Sequence, residues 1–237
     1  IQILLNSRKI FKNWYLYPKV YCKLTNNEFV IFETKDGLRI KIRVGTTDLM
    51  ALTNVWMINE YHVEDFEINR NDVVIDIGAH IGLFSLLVSQ YCKTGKIFSF
   101  EPMRENFDLL KSNLELNRIE NVFPFNVAVS KNSGKLNLFL NSDQSAHSIF
   151  SESSESVTVE SISLQKIFEE NKISSCKLLK LDCEGAEYDI IDSLPPEYLA
   201  KIQNMAIEYH LADTKPELVK SLILKIKNAG FKIKTRP

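Results

Sequence analysis

The stretch that decides the fold is "VVIDIGAHIGLFS", Val73–Ser85. Four β-formers surround Asp76, the chain then turns through Gly78 and Gly82, and apolar residues at helical spacing follow. A short, continuously apolar run suits a strand buried on both faces, as in a parallel sheet. Glycines in the turn let the backbone bend tightly and approach a ligand. Strand–turn–helix units of this kind hold nucleotide-type cofactors at the helix N-terminus. The spacing, however, is D-x-G-x-x-x-G, and His80 stands where the best-known loops carry a further glycine. A carboxylate at the loop mouth would repel a pyrophosphate. S-adenosylmethionine has no phosphate, and its ammonium and sulfonium suit an acid, so the loop favours that cofactor over a dinucleotide.

Outward from this loop, strands and helices alternate. "KIFSFEP" reads as a strand, "RENFDLLKSNLELN" as an amphipathic helix and "NVFPFNVAVS" as a third strand. "GKLNLFL" and "VTVES" flank a serine-rich loop as a β insertion, and "SLQKIFEENK" is helical. "KLLKLDCEG" and "NMAIEYH" read as strands on either side of the helix "AEYDIIDSL". "TKPELVKSLILKIKNAG" predicts a helix with Thr214 and Glu217 spaced as a capping box and Gly230 as its stop, before a final strand "FKIKTR". The alternation predicts an α/β fold with a mostly parallel, twisted sheet covered by helices on both faces, over residues 70–237. Residues 1–69 read as an appendage, with a hairpin across "KDG" and a helix opening at Thr47 or Asp48.

Ligands of such sheets bind at the carboxyl ends of the strands, here just after Ile77, Phe100, Phe125, Leu181 and Ile207. Those positions bring Asp76, Gly78, His80 and Gly82 from the first strand, Glu101 from the second and Asn126 from the third. The fourth brings Asp182 and Glu184, the fifth Glu208 and His210. An acid about 20 residues past the glycine turn suits the two hydroxyls of an adenosine ribose, which makes Glu101 the ribose candidate. Its alternative is a surface acid capping the next helix.

The segments "VVIDIGAHIGLFS", "IFSFEP", "NVAVS", "VESISL", "LLKLDCEGAEYDII" and "AIEYH", from about Asp48 to His210, resemble the FkbM-type methyltransferases. The most specific is "LDCEGAEYDII". The resemblance implies a Rossmann-like class I methyltransferase fold and S-adenosylmethionine-dependent O-methylation, usually of sugar or natural-product hydroxyls. At His80 the family most often has asparagine, so no asparagine-specific bond carries over.

Methyl transfer requires the acceptor atom to be held in line with the methyl group. A hydroxyl acceptor must also lose a proton, to a base or with a metal's help. No "NPPY"-type sequence follows the fourth strand, which weakens a case for methylating base amino groups. Asp182, Glu184, Glu208 and His210 form the catalytic candidates, since alternate residues of neighbouring strands share a face. His210 is the expected base because its intrinsic pKa lies near neutrality, with Glu184 and Asp182 as rivals. Asp182 also counts among the cofactor-binding candidates. The dull alternatives are helix capping by Asp182 and Glu184, and pairing of Glu208 and His210 with Lys201 or one another. A divalent ion is possible on these side chains but is not expected. His147, in "DQSAHSIF", is a candidate lid residue, and Cys183 reads as a packing residue.

The net charge is −1, yet residues 1–45 hold nine Lys/Arg against three Asp/Glu. That arm could touch RNA or an anionic surface, or simply be solvated. The leading function is O-methylation of a small molecule or glycan. The alternatives are an RNA methyltransferase and a non-catalytic nucleoside-binding module. The four cysteines show no CxxC spacing, which argues against zinc and disulfides and for a reducing, cytoplasmic setting. No apolar run reaches the roughly 18–20 residues of a membrane span. Ile1 in place of Met leaves room for residues upstream, and a seventh strand could lie beyond Pro237. Acceptor identity and oligomeric state have no signature in the chain.

Overall fold

The structure, a computed structural model, describes residues 2–139 and 156–235. The chain begins with helices α1 (Gln2–Ile10) and α2 (Leu16–Tyr21), then the hairpin β1 (Phe29–Glu33) and β2 (Arg39–Arg43). The hairpin turns at Gly37, whose φ of +94° suits glycine. Helix α3 (Asp48–Leu52) follows and widens directly into a π-helical turn, Thr53–Ile58. The helix expected here therefore forms, but not with a side-chain cap. Asp48 is buried and engaged by Arg43 instead.

From Val73 the alternation is β3 (Val73–Ile77), α4 (Leu83–Ser89), β4 (Lys96–Phe100), α5 (Arg104–Leu116) and β5 (Val122–Phe125). Next come β6 (Ala128–Ser130), β7 (Gly134–Phe139), β8 (Ser156–Ser163), α6 (Leu164–Glu170) and β9 (Leu178–Leu181). The chain continues with α7 (Glu187–Ser193), α8 (Pro196–Leu199), β10 (Met205–Ile207) and α9 (Pro216–Asn228). Five strands form one parallel sheet in the order β10-β9-β3-β4-β5. This is a Rossmann-like arrangement: the chain runs outward from β3 through β4 to β5, then returns to lay β9 and β10 on the other side. The reversal opens a crevice between β3 and β9 at the carboxyl end of the sheet.

Three details differ from the sequence reading. The segment "NVFPFNVAVS" is two strands, because the chain leaves the main sheet at Asn126 and β6 joins β8 and β7 in a separate three-stranded sheet. The capping box on α9 does not form: Lys215 is the N-cap, Pro216 opens the helix, and the Thr214 hydroxyl donates to Leu211 O. Proline suits the first helical position because its missing N–H would be unpaired there anyway. Residues 231–235 form no strand.

Two apolar clusters lie on the two faces of the sheet. One joins α4 and α5 to the hairpin and to Phe11, Tyr17 and Leu52 from the N-terminal region. The other packs α6, α7 and α9 against β3, β4 and β9. Helix α5 also grips the hairpin edge through two asparagines one turn apart. Asn113 Oδ1 accepts from Lys41 N at 2.7 Å, and Asn117 Oδ1 accepts from Arg39 N at 2.7 Å. Their amides donate back to the Lys41 and Arg39 carbonyls at 3.1 and 2.7 Å. The match works because four helical residues rise about 6 Å and two strand residues about 6.7 Å. It also pairs the exposed edge of β2, which would otherwise be open to another strand.

Candidate active site

The loop after β3 is stapled to the end of β4: Gly78 N and Ala79 N both donate to Phe100 O at 3.0 Å. Gly78 has φ +74°, and a Cβ there would lie 1.7 Å from Asp182 O. Only glycine lets the loop pass so close to the end of β9. Two residues on, His80 adopts φ 51° and turns its N–H toward Glu101 Oε2 at 2.8 Å. Glu101 Oε1 accepts from Met103 N at 3.0 Å and Asn106 Nδ2 at 3.4 Å. Burial pushes the Glu101 carboxyl up to about 7, against the pull of these N–H groups.

An ion-pair chain links the N-terminal hairpin to this acid. Arg43 reaches Asp48 through Nε at 3.0 Å and Nη2 at 2.8 Å, and Nη2 also donates to Asn106 Oδ1 at 2.7 Å. Asn106 in turn faces Glu101. The His80 ring sits beside this chain, with Nε2 3.4 Å from Asp48 Oδ1 but without a well-aligned hydrogen bond. Burial pushes His80 down to about 4, so its imidazole is neutral at physiological pH.

Asp76 does not stand at the loop mouth as the sequence suggested. It is fully buried, accepts from Ser85 Oγ at 2.6 Å and lies 3.2 Å from Lys180 Nζ. Lys180, itself only 3% exposed, donates to Gly78 O at 2.6 Å from beneath the loop. Burial alone would pull its pKa down, but the Asp76 and Asp182 carboxylates outweigh burial and keep the ammonium charged. Asp76 thus neutralises a buried cation that props the loop, and the charge argument against pyrophosphate does not rest on it.

Across β3 from Glu101, the ends of β9 and β10 bring the remaining candidates together. Asp182 Oδ2 accepts from Tyr61 OH at 3.0 Å and lies 3.5 Å from Lys180 Nζ. His210 Nε2 lies 3.6 Å from Glu184 Oε2, 3.9 Å from Glu208 Oε1 and 4.0 Å from Asp182 Oδ1. Its Nδ1 is hydrogen-bonded to Glu187, a fully buried carboxylate. Burial would lower the His210 pKa, but Glu187, Glu184 and Asp182 together raise it to about 9. A raised pKa favours the protonated imidazole and so argues against His210 as the base. Burial, Asp182 and Glu60 push Glu208 up to about 7. Burial, with Glu187 and Asp182, pushes the Cys183 thiol well above its usual value, which suits packing rather than attack.

One cavity joins the two groups. Gly78, His80, Glu101, Asp182, Glu184 and Glu208 line it, whereas Asp76, Gly82, Asn126 and His210 do not. Gly82, with φ +85°, packs against Leu110 at the start of α4. Asn126 donates to the carbonyls of Glu101 and Pro102 at 2.9 and 2.8 Å, which holds the loop after β4. His147 lies outside the described residues. Sequence reasoning missed Tyr61, Lys180, Arg43 and Glu187. Lys180 had a signal, a lysine inside the apolar run "LLKL", where burial on both faces demands a paired charge. Tyr61 had none, because it lies in the turn after the π-helical segment, far in sequence from the strand end it meets.

These residues fit an adenosyl cofactor. Glu101 Oε2 takes one N–H group and retains capacity for a hydroxyl. Apolar walls come from Ile77, Leu83, Phe84 and Phe100, and the acids beyond β3 suit a sulfonium and an ammonium. Lys180, which contacts the loop from beneath, is turned to Gly78 O and to carboxylates rather than to a phosphate site. Fold and site together define an S-adenosylmethionine-dependent methyltransferase.

Residues 76–233 match the methyltransferase FkbM domain, and the chain belongs to that family. It is similar to the hexuronic acid methyltransferase AglP of Haloferax volcanii, 26% identical over 188 residues, covering 76% of this chain and 75% of that protein. It is also similar to methyltransferase 1 of Beauveria bassiana, 22% identical over 68% of this chain and 72% of that one. Among solved structures, the precorrin-6y C5,15-methyltransferase of Geobacter metallireducens GS-15 aligns with a TM-score of 0.47 and 12% identity, covering 76% of this chain and 72% of that one.

Proposed function

We propose that the chain methylates a hydroxyl oxygen of a small-molecule or glycan acceptor. The observation that carries this reading is the set of acids Glu60, Asp182 and Glu208 on the cavity wall across β3 from Glu101. A hydroxyl must release its proton as its oxygen attacks, and ionised carboxylates are acceptor-only groups. The similarity to a hexuronic acid methyltransferase supports a glycan acceptor.

When bound, S-adenosylmethionine would supply an electrophilic methyl carbon whose bond to sulfur breaks as the acceptor oxygen bonds to it, with the electron pair left on a neutral thioether. The protein's own residues do the rest. Glu101 holds the ribose, with its position set by His80 N, Met103 N and Asn106. Gly78 and Ala79 keep the loop low over β4. Tyr61 and Lys180 fix Asp182 Oδ2, which leaves Oδ1 directed toward the acceptor side. Asp182 and Glu208 take the acceptor's proton, and His210 holds the acids around it in place.

The test is transfer of a labelled methyl group to a panel of uronic acids, neutral sugars and polyols. The expected product is an alkali-stable methyl ether on a sugar hydroxyl. Label recovered in an alkali-labile carboxyl ester, or on nitrogen, would sink the assignment to hydroxyl oxygen.

A further inference from the structure

We propose that Asp182 Oδ1, Glu208 Oε1 and His210 Nε2 form a binding site for one divalent cation of the Mn²⁺ class, open to the cavity. The inference deepens the O-methylation reading and rests on it for the role of the ion, though not for its binding.

Spacing is the first argument. His210 Nε2 faces Asp182, Glu184 and Glu208 at 3.6–4.0 Å. Those separations exceed the roughly 3.2 Å limit of an N–H···O hydrogen bond. The ligand atoms of Asp182, Glu208 and His210 all lie within 4.8 Å of one another. Two ligand atoms each about 2.1 Å from one ion stand roughly 3.0 Å apart at right angles and 4.2 Å apart in line. The observed gaps are too long for direct bonds and a few tenths of an ångström too wide for one ion, so the side chains would draw in slightly as they share it.

The second argument is how the imidazole is held. Glu187 is fully buried and fixes His210 Nδ1, so that Nε2 is the atom presented to the acids. The other Glu187 oxygen, Oε2, is buried without a hydrogen-bond partner. A buried carboxylate behind a histidine is the outer partner that metal-binding imidazoles use to set tautomer and orientation. An ion on Nε2 would displace the proton that His210 otherwise carries there, and would take over from that proton the compensation of the Glu187 charge.

Charge and access agree. Glu60, Asp182, Glu184, Glu187 and Glu208 face Lys180 and His210, and Lys180 is shared with Asp76. Tyr61 and Lys180 occupy Asp182 Oδ2, so Oδ1 is the oxygen left to the cluster. Asp182 and Glu208 line the cavity while His210 lies behind them. An ion held there keeps coordination positions open to an acceptor. One imidazole with carboxylates favours a metal tolerant of both nitrogen and oxygen, hence Mn²⁺ as the probe. The acceptor hydroxyl would bind the ion, lose its proton to a cluster carboxylate or to water, and attack the methyl carbon as an alkoxide.

The experiment uses the full chain stripped with a chelator, titrated with MnCl2, and read by electron paramagnetic resonance and calorimetry. One Mn²⁺ per chain is expected. Glu187→Gln should weaken it about 10–100-fold, the scale for losing an outer partner of a ligating histidine, and Glu208→Gln at least as much. S-adenosylmethionine affinity, measured on each variant, confirms that it is folded. No uptake of Mn²⁺ by the wild type at millimolar concentration, or wild-type affinity retained in both variants, overturns the site. Neither readout needs an acceptor. Binding of Mn²⁺ without ether formation would leave the site standing while the hydroxyl reading fails. Ether formation undiminished after exhaustive chelation, with no Mn²⁺ uptake, would do the reverse.

Discussion

The two sides of the cavity are built differently. On the cofactor side, at the ends of β3 and β4, the loop and Glu101 are held by aligned hydrogen bonds of 2.8–3.0 Å, most of them from backbone N–H groups. On the acceptor side, at the ends of β9 and β10, charges of both signs stand 3.5–4.0 Å apart around His210 and Asp182. The first arrangement is positioned by the backbone, because amides orient one buried carboxylate and leave it an acceptor site for a hydroxyl. The second is held by longer-range charge contacts around one imidazole, with more carboxylates than cations facing one another. Lys180 and Gly78 join the sides: the lysine touches Asp76 and Asp182, and the glycine passes beneath Asp182 O.

The contrast can be broken most sharply at Glu208. Glu208→Gln is expected to lower turnover by about 10²–10⁴-fold, the usual range for lost acid–base assistance, while cofactor affinity stays within a few-fold. Steady-state rates with calorimetry on the same sample check this; a matching loss of cofactor affinity would show that the sides are not separate. Lys180→Met should be nearly as costly, but to stability. Removing one partner of a buried ion pair costs about 3–5 kcal/mol, and Asp76→Asn in the same chain should restore part of it. Thermal unfolding of the single and double variants decides the matter.

A smaller effect is expected from Glu101→Ala. Losing a hydrogen bond to a charged group costs about 1.5–3 kcal/mol, which weakens the cofactor by roughly 10–150-fold in calorimetry with little change in the labelled product. The smallest effect is on pH dependence. With its carboxyl at about 7, Glu101 accepts ribose hydroxyls fully only above that pH. Cofactor affinity should therefore fall by up to about tenfold per unit below pH 7, and Glu101→Gln should flatten the profile. Stability of the free protein runs the other way. A carboxyl raised on folding favours the folded state at low pH, and that contribution is lost as pH rises through about 7.

Much of the fold was legible in the sequence because parallel strands buried on both faces read as apolar runs. The five strand ends at Ile77, Phe100, Phe125, Leu181 and Ile207 fall where that pattern placed them. What misread was local chemistry overridden by context. Thr214 and Glu217 have capping-box spacing, yet Pro216 starts the helix one residue later than that box requires. The run "NVFPFNVAVS" has strand character along its length, but no periodicity tells the chain to break at Asn126 and enter another sheet.

For the site, the sequence by itself determined which side chains stand at the strand ends, because the alternation of strand and helix dictates where each strand stops. It determined Glu101, Asp182, Glu184, Glu208 and His210 as neighbours of one crevice. Only the tertiary structure decided their electrical state. Asp76 turned inward because Lys180, far away in sequence, lies on the adjacent strand, and His210 became a cation because Glu187 is buried against its ring. Charge state depends on burial and on partners across the fold, and neither has a spacing that a single chain can display.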